Sequence, residues 1–192
     1  MKKISLLVMV IALSLSACKN DKKKTEKTIE EDVVVTEEKV ETTKKIKIAL
    51  NAKSDSNVSG NVVFKEENGT VTMIALIDGL EPGNHAIHIH KTADCTSDDG
   101  KSAGGHWNPN AQPHGKWGAT EGYHKGDIGN FTADENGNGT ITFSTDEWCI
   151  GCDDDTKNII GKGIIVHAGE DDLTSQPSGA AGARVSCAGI IE

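Results

Sequence analysis

From residue 46 onward the chain carries apolar residues in short runs that tend to alternate with polar ones. These are IKIAL (46–50), NVVF (61–64), TVTMIALI (70–77), HAIHIH (85–90), GNFT (129–132), GTITF (139–143), IIGKGIIVHA (159–168) and RVSCAGII (184–191). A period of two is that of a strand with one face buried. Turn formers separate several of the runs: Asn68-Gly69, Glu81-Pro82-Gly83 and Asn136-Gly137-Asn138-Gly139. No stretch has the spacing of an amphipathic helix. Eight short strands without interleaved helices predict an all-β fold, an antiparallel barrel or sandwich. Two stretches break the rhythm, Thr92 to Asp127 and Glu170 to Ala183, both rich in Gly, Pro and Asp. Loops of that length are usually functional or disordered.

Residues 1–45 have a different character. Lys2-Lys3 precede an apolar run from Ile4 to Leu15 that is too short to span a bilayer, and LSAC follows at 15–18. This resembles the cleavage box of a bacterial lipoprotein, with residues 1–17 a signal peptide and Cys18 the lipidated first residue. Residues 18–45 read as a solvated tether, because charged residues dominate and aromatics, Gly and Pro are lacking. The expected location is the envelope of a bacterium, lipid-anchored and facing the periplasm or the surface, with membrane contact only through the lipid. Residues 46–192 carry 10 basic and 21 acidic residues, a net charge of −11. That surface argues against nucleic-acid binding, which requires basic patches to neutralise phosphate.

All seven histidines lie between 85 and 167: His85, His88, His90, His106, His114, His124 and His167. On a strand, His88 and His90 share one face and His85 points to the other. Asp127 follows His124 by three residues. Neutral imidazole suits copper and zinc alike, and a carboxylate among three imidazoles makes a good zinc set.

GNHAIHIH, Cys95, GGHWNP, HGKWG, YHKGDIGN, GIIVHAGEDD and GAAGARVSCAGII together resemble the copper/zinc superoxide dismutase family in order, composition and spacing. The resemblance covers nearly all of residues 46–192 and implies an eight-stranded Greek-key barrel with long metal-binding loops. It implies copper on His88, His90, His106 and His167, and zinc on His106, His114, His124 and Asp127, with His106 bridging. By the same likeness Asp171 orients His88 and His114, Asp172 being the adjacent alternative. His85 braces the copper region without binding metal. The substrate so implied is the superoxide anion, converted to dioxygen and hydrogen peroxide, and Arg184 overhangs the copper. Family members dimerise through different surfaces or remain monomeric, so a homodimer is one expected state.

Two departures stand out. Ala86 occupies a position where the family usually has glycine, and LTSQPSGAAGA (173–183) lacks the charges that many members carry beside the channel. Arg184, the only arginine in the chain, must then serve as the local positive target in an acidic domain.

Beyond Cys18, four cysteines allow three pairings. The family pattern joins Cys95 to Cys187. For Cys149 and Cys152, in WCIGC, the readings are a local disulfide, a redox-active pair or half of a metal site. No βαβ setting and no second CxxC is visible, so the local disulfide is expected. Two other functions compete. One is a copper/zinc-binding protein of the same fold without turnover. The other is a dinuclear zinc hydrolase, but its HxHxDH motif needs Asp and His where this chain has Lys91 and Thr92.

The LSAC box predicts that Cys18→Ser releases the protein from the membrane fraction. Membrane fractionation checks this, and mass spectrometry of the native N-terminus should find an acylated Cys18.

Overall fold

The computed structural model describes residues 43–191; the leader, Cys18 and the tether up to residue 42 lie outside the described residues. Eight strands follow in chain order: β1 Lys44–Ala52, β2 Ser59–Glu67, β3 Thr70–Asp78, β4 Gly83–His90, β5 Gly129–Ala133, β6 Gly139–Thr145, β7 Gly163–His167 and β8 Arg184–Gly189. They close into an antiparallel barrel in the order β1-β2-β3-β6-β5-β4-β7-β8. The chain passes from β3 to β4, and from β6 to β7, across two intervening strands, which is the return path of a Greek key. One 3-10 turn, Lys101–Ala103, is the only helical element among the described residues.

Side-chain parity builds the core. Ile46, Ile48 and Leu50 of β1, Val62 and Phe64 of β2, and Val71, Met73 and Ile77 of β3 point inward and are buried. The alternate residues point outward, and among them Ile74 and Leu76 remain exposed. Asn68 and Gly69, both at positive φ (53° and 78°), make the tight β2–β3 turn that their sequence predicted.

The opposite wall is buried on both sides. Ile87 and Ile89 of β4, with Ile164 and Val166 of β7, enter the central core. His88, His90, Ile165 and His167 have the other parity and are buried as well, because the two long loops cover the outer face of β4, β7 and β8. Ala103, Ile165 and Cys187 form a small second apolar cluster, with Cys95 packed against it. The Cys95–Cys187 disulfide, Cα–Cα 5.8 Å, spans 92 positions and ties the first loop to β8. A loop of that size constrains the unfolded chain by about 4 to 5 kcal/mol in the chain-entropy account. Cys149 and Cys152 form a second, local disulfide in the β6–β7 connection.

Two boundaries differ from the sequence expectation. Lys44 and Lys45, read as tether, belong to β1, where they pair with Glu66 and Lys65 of β2. The strand expected from Ile159 begins only at Gly163, because Ile159 to Lys162 form a turn. Lys162 N–H donates to the Ile159 carbonyl, and Gly161 takes φ 80°. Ile159 is apolar because it is buried beside the Cys149 segment, not because it pairs in the sheet.

Gly126 shows how tightly the first loop lies on β4. Its carbonyl accepts from Ile89 N–H at 3.0 Å and its N–H donates to the Trp107 carbonyl at 3.0 Å. A Cβ at this position would sit 2.1 Å from the Ile89 carbonyl oxygen. Gly126→Ala is therefore expected to destabilise the fold by roughly 1 to 3 kcal/mol, the range for overpacking. Thermal or urea unfolding of the variant measures this directly.

Candidate metal centre

Strand β4 delivers His88 and His90 to the outer face, and β7 delivers His167 beside them, with Ile165 opposite His88 in the register. The first loop then folds back along the end of β4. Lys91 N–H donates to the Gly105 carbonyl, Trp107 N–H donates to the Ile89 carbonyl, and His106 lies across from His90 as an isolated bridge. His106 thereby stacks close to His88, with ring centroids 4.1 Å apart. The same loop continues through His114 and His124 to Asp127, all buried.

Two groups of side chains result. His88, His90, His106 and His167 form one, and His106, His114, His124 and Asp127 form the other; in each, the candidate ligand atoms lie within 4.8 Å of one another. His106 belongs to both. Its Nδ1 lies 2.7 Å from Asp127 Oδ1, while its Nε2 is buried and without a hydrogen-bond partner.

That unpartnered nitrogen is one of a set. His88 Nδ1, His90 Nε2, His106 Nε2 and His167 Nε2 are all buried without hydrogen bonds. Leaving buried polar atoms unsatisfied is costly, and several in one place call for a ligand. Four imidazole nitrogens with no carboxylate suit copper. In the second group His114 Nδ1 and His124 Nδ1 lie 3.0 and 3.1 Å from Asp127 oxygens, a three-nitrogen, one-oxygen set that suits zinc.

For most of these rings the other nitrogen has an acceptor that fixes its orientation and tautomer. His90 Nδ1 donates to the Gly104 carbonyl at 2.9 Å and His167 Nδ1 to the Gly182 carbonyl at 3.5 Å. Asp171 spans the two groups, taking His88 Nε2 on Oδ2 and His114 Nε2 on Oδ1, both at 2.9 Å. Asp172 is exposed and caps its own turn through Thr174 and Ser175. His85 points to the barrel end, with its ring nitrogens on the carbonyls of His167 and Glu81, and belongs to neither group.

The electrostatics favour cation binding. Burial, and then the neighbouring imidazoles, hold His90 and His167 well below the ordinary histidine value. Burial lowers His106 to about 4 against the pull of Asp127. These rings are neutral, the form that ligates metal. Burial alone would raise Asp127 and Asp171, but hydrogen bonds from the histidines overcome it and keep both carboxylates ionised. Burial likewise opposes protonation of His114, yet Asp127 and Asp171 raise it to about 9. A cation entering the second group displaces that proton.

A cleft of about 480 Å³ opens onto the first group, lined by His90, His106, His167, Lys101, Asn108 and Arg184 among others. Arg184 Nη1 donates to the Gly100 carbonyl at 2.8 Å. Sequence reading did not single out Lys101, because only the folding of the first loop over β8 brings it to the cleft mouth, where it pairs with Asp99 at 2.7 Å. It also missed two amide side chains that tie the loops together. Asn130 exchanges hydrogen bonds with the backbone of Asp171, and Gln176 does so with that of His114. Asn130 ends the motif YHKGDIGN and lies on β5, but nothing in the spacing assigns it a partner in the second long loop.

The family model "Copper/zinc superoxide dismutase (SODC)" matches residues 58–190. Among solved structures, the crystal structure of a double mutant of a SOD-like protein from Bacillus subtilis is similar to this chain. Its TM-score is 0.68 at 28% sequence identity, covering 76% of this chain and 97% of that one.

Since Asp171, alone among the described residues, is bonded to both groups through their outer nitrogens, Asp171→Asn should weaken cation binding at both. The expected loss is about 10- to 100-fold, typical of such orienting partners. Competition with a chromophoric chelator reads it.

Proposed function

The chain belongs to the copper/zinc superoxide dismutase family, and on that premise we propose that it is an enzyme that disproportionates superoxide. His88, His90, His106 and His167 would hold copper, and His106, His114, His124 and Asp127 would hold zinc. The observation that carries this reading is His106, whose two ring nitrogens face different ligand sets while four buried nitrogens lack any other partner. Bound copper supplies a one-electron couple, so that two superoxide anions and two protons become one dioxygen and one hydrogen peroxide.

The protein's own groups do the rest. His106 Nε2 can hold or release one proton inside the site, while its Nδ1, 2.7 Å from Asp127 Oδ1, would face the zinc together with that carboxylate. Asp171 fixes His88 and His114 against each other, so the two ligand sets keep their spacing. Arg184 spends one N–H on Gly100 and retains further donors for an anion in the cleft that it lines. With residues 46–192 at −11, attraction must be local. Arg184 supplies it, and Lys101 adds a weaker contribution, being paired with Asp99 and exposed.

The lipid anchor on Cys18 and an envelope location belong to this same proposal, and they rest on the sequence alone.

The test is metal analysis of the purified protein alongside superoxide consumption. One copper, one zinc and rapid consumption are expected; both metals without consumption would leave a binding protein. Arg184→Ala should keep both metals and lose turnover by roughly tenfold, the low end of what focusing in a positive cleft contributes, superoxide dismutases being standard examples. Salt should slow the wild type more than the variant, because screening acts on an attraction that the variant has partly lost. Wild-type turnover of Arg184→Ala at low salt would reduce this residue to a surface charge.

A further inference from the structure

His124 sits in the middle of a segment whose two flanking residues are both held by the β6–β7 connection. Tyr123, just before it, donates its hydroxyl to Glu147 Oε1 at 2.6 Å. Lys125, just after it, forms an ion pair with Glu147 Oε2. The next residue, Trp148, donates its indole N–H to the Lys125 carbonyl at 2.8 Å. Two consecutive residues of the β6–β7 connection thus make three bonds to the two neighbours of one candidate ligand.

The grip is itself anchored. Glu147 N–H donates to Thr145 Oγ1 at the end of β6. Trp148 is 1% exposed and packs edge-on to Phe64 of the core and to Trp117 of the first loop. Trp117 in turn lies 4.9 Å from the Tyr123 ring. Directly after Trp148 the Cys149–Cys152 disulfide closes, and Cys149 exchanges backbone hydrogen bonds with Lys157 and Ile159. On its inner side His124 is tied by its N–H to Asp127 Oδ2 at 2.8 Å.

The Lys125–Glu147 pair is mostly buried, its side chains 15% and 30% exposed, and one such pair is weak evidence for a stabilising role. Three bonds converging on the flanks of His124 instead restrict where that ring can go, and ring position governs how readily a four-ligand site opens. We propose that Glu147 and Trp148 form a positioning clamp on His124 that slows release of zinc from the second ligand group. The proposal rests on the zinc reading of that group. It gives the β6–β7 connection a role at the metal centre, with the CxxC disulfide bracing the clamp. Glu147 is held below the ordinary carboxylate value, burial opposing and Lys125 and Tyr123 prevailing, which keeps it the ionised acceptor that both flanking donors require.

The experiment follows zinc transfer from the purified, zinc-loaded full chain to 4-(2-pyridylazo)resorcinol, and the visible spectrum of the protein with cobalt(II) in the second group. Glu147→Ala is expected to release zinc about 10- to 100-fold faster and to shift the cobalt bands. Trp148→Phe, which keeps the ring and loses the indole donor, should move both readouts the same way by less. Glu147→Gln, which retains an acceptor for Tyr123 and loses the charge facing Lys125, should fall between Glu147→Ala and wild type. A merely structural role would lower the melting temperature and leave release rate and cobalt spectrum unchanged. That result, in a wild type that holds zinc, overturns the clamp alone. A wild type that takes up no zinc overturns the zinc reading and the clamp with it. Should Glu147→Ala fail to fold, Glu147→Gln and Trp148→Phe carry the same comparison.

Discussion

Four buried imidazole nitrogens without partners, on His88, His90, His106 and His167, set the terms for the whole outer layer of this protein. An unsatisfied buried acceptor costs on the order of 1 to 3 kcal/mol, so four together call for a shared cation. Each ring is pinned from behind: by Asp171, by the Gly104 and Gly182 carbonyls, and by Asp127. The protein itself therefore fixes the direction in which each ligand nitrogen points. Pre-organisation of this kind spends folding energy to gain binding affinity and a fixed ligand geometry.

The barrel supplies that energy. Its core is ordinary, built from inward-facing Ile, Val, Met and Phe, and it leaves β4 and β7 with a second, outward face to dispose of. The long loops cover that face and bring ligands with them. They are tied down at separate points, by Cys95–Cys187, by Asn130 on Asp171, by Gln176 on His114 and by Glu147 and Trp148 around His124. Long loops lose much entropy on ordering, and such ties reduce the freedom that must be lost.

On the proposed function, the site also reconciles an acidic protein with an anionic substrate. Arg184 is lodged against Gly100, and it and Lys101 are the two basic side chains that line the cleft. Net charge then governs solubility while the local field governs encounter.

Much of this was legible in the sequence because its signals are local. Period-two alternation marks the strands, Asn68-Gly69 marks a hairpin, and strand parity separates His85 from His88 and His90. The resemblance of the motif series supplied the grouping of ligands, which spacing alone could not. What the sequence left open depended on contacts between distant segments. Ile159 was read as strand because apolar character does not distinguish sheet pairing from burial in a turn. Asn130, Gln176 and Glu147 are polar residues whose partners lie 22 to 62 positions away, and Lys101 reaches the cleft only through the fold of its loop. Strand identity follows from a repeating local pattern, whereas the partner of a loop side chain is fixed only when the closed barrel brings the two loops against one face.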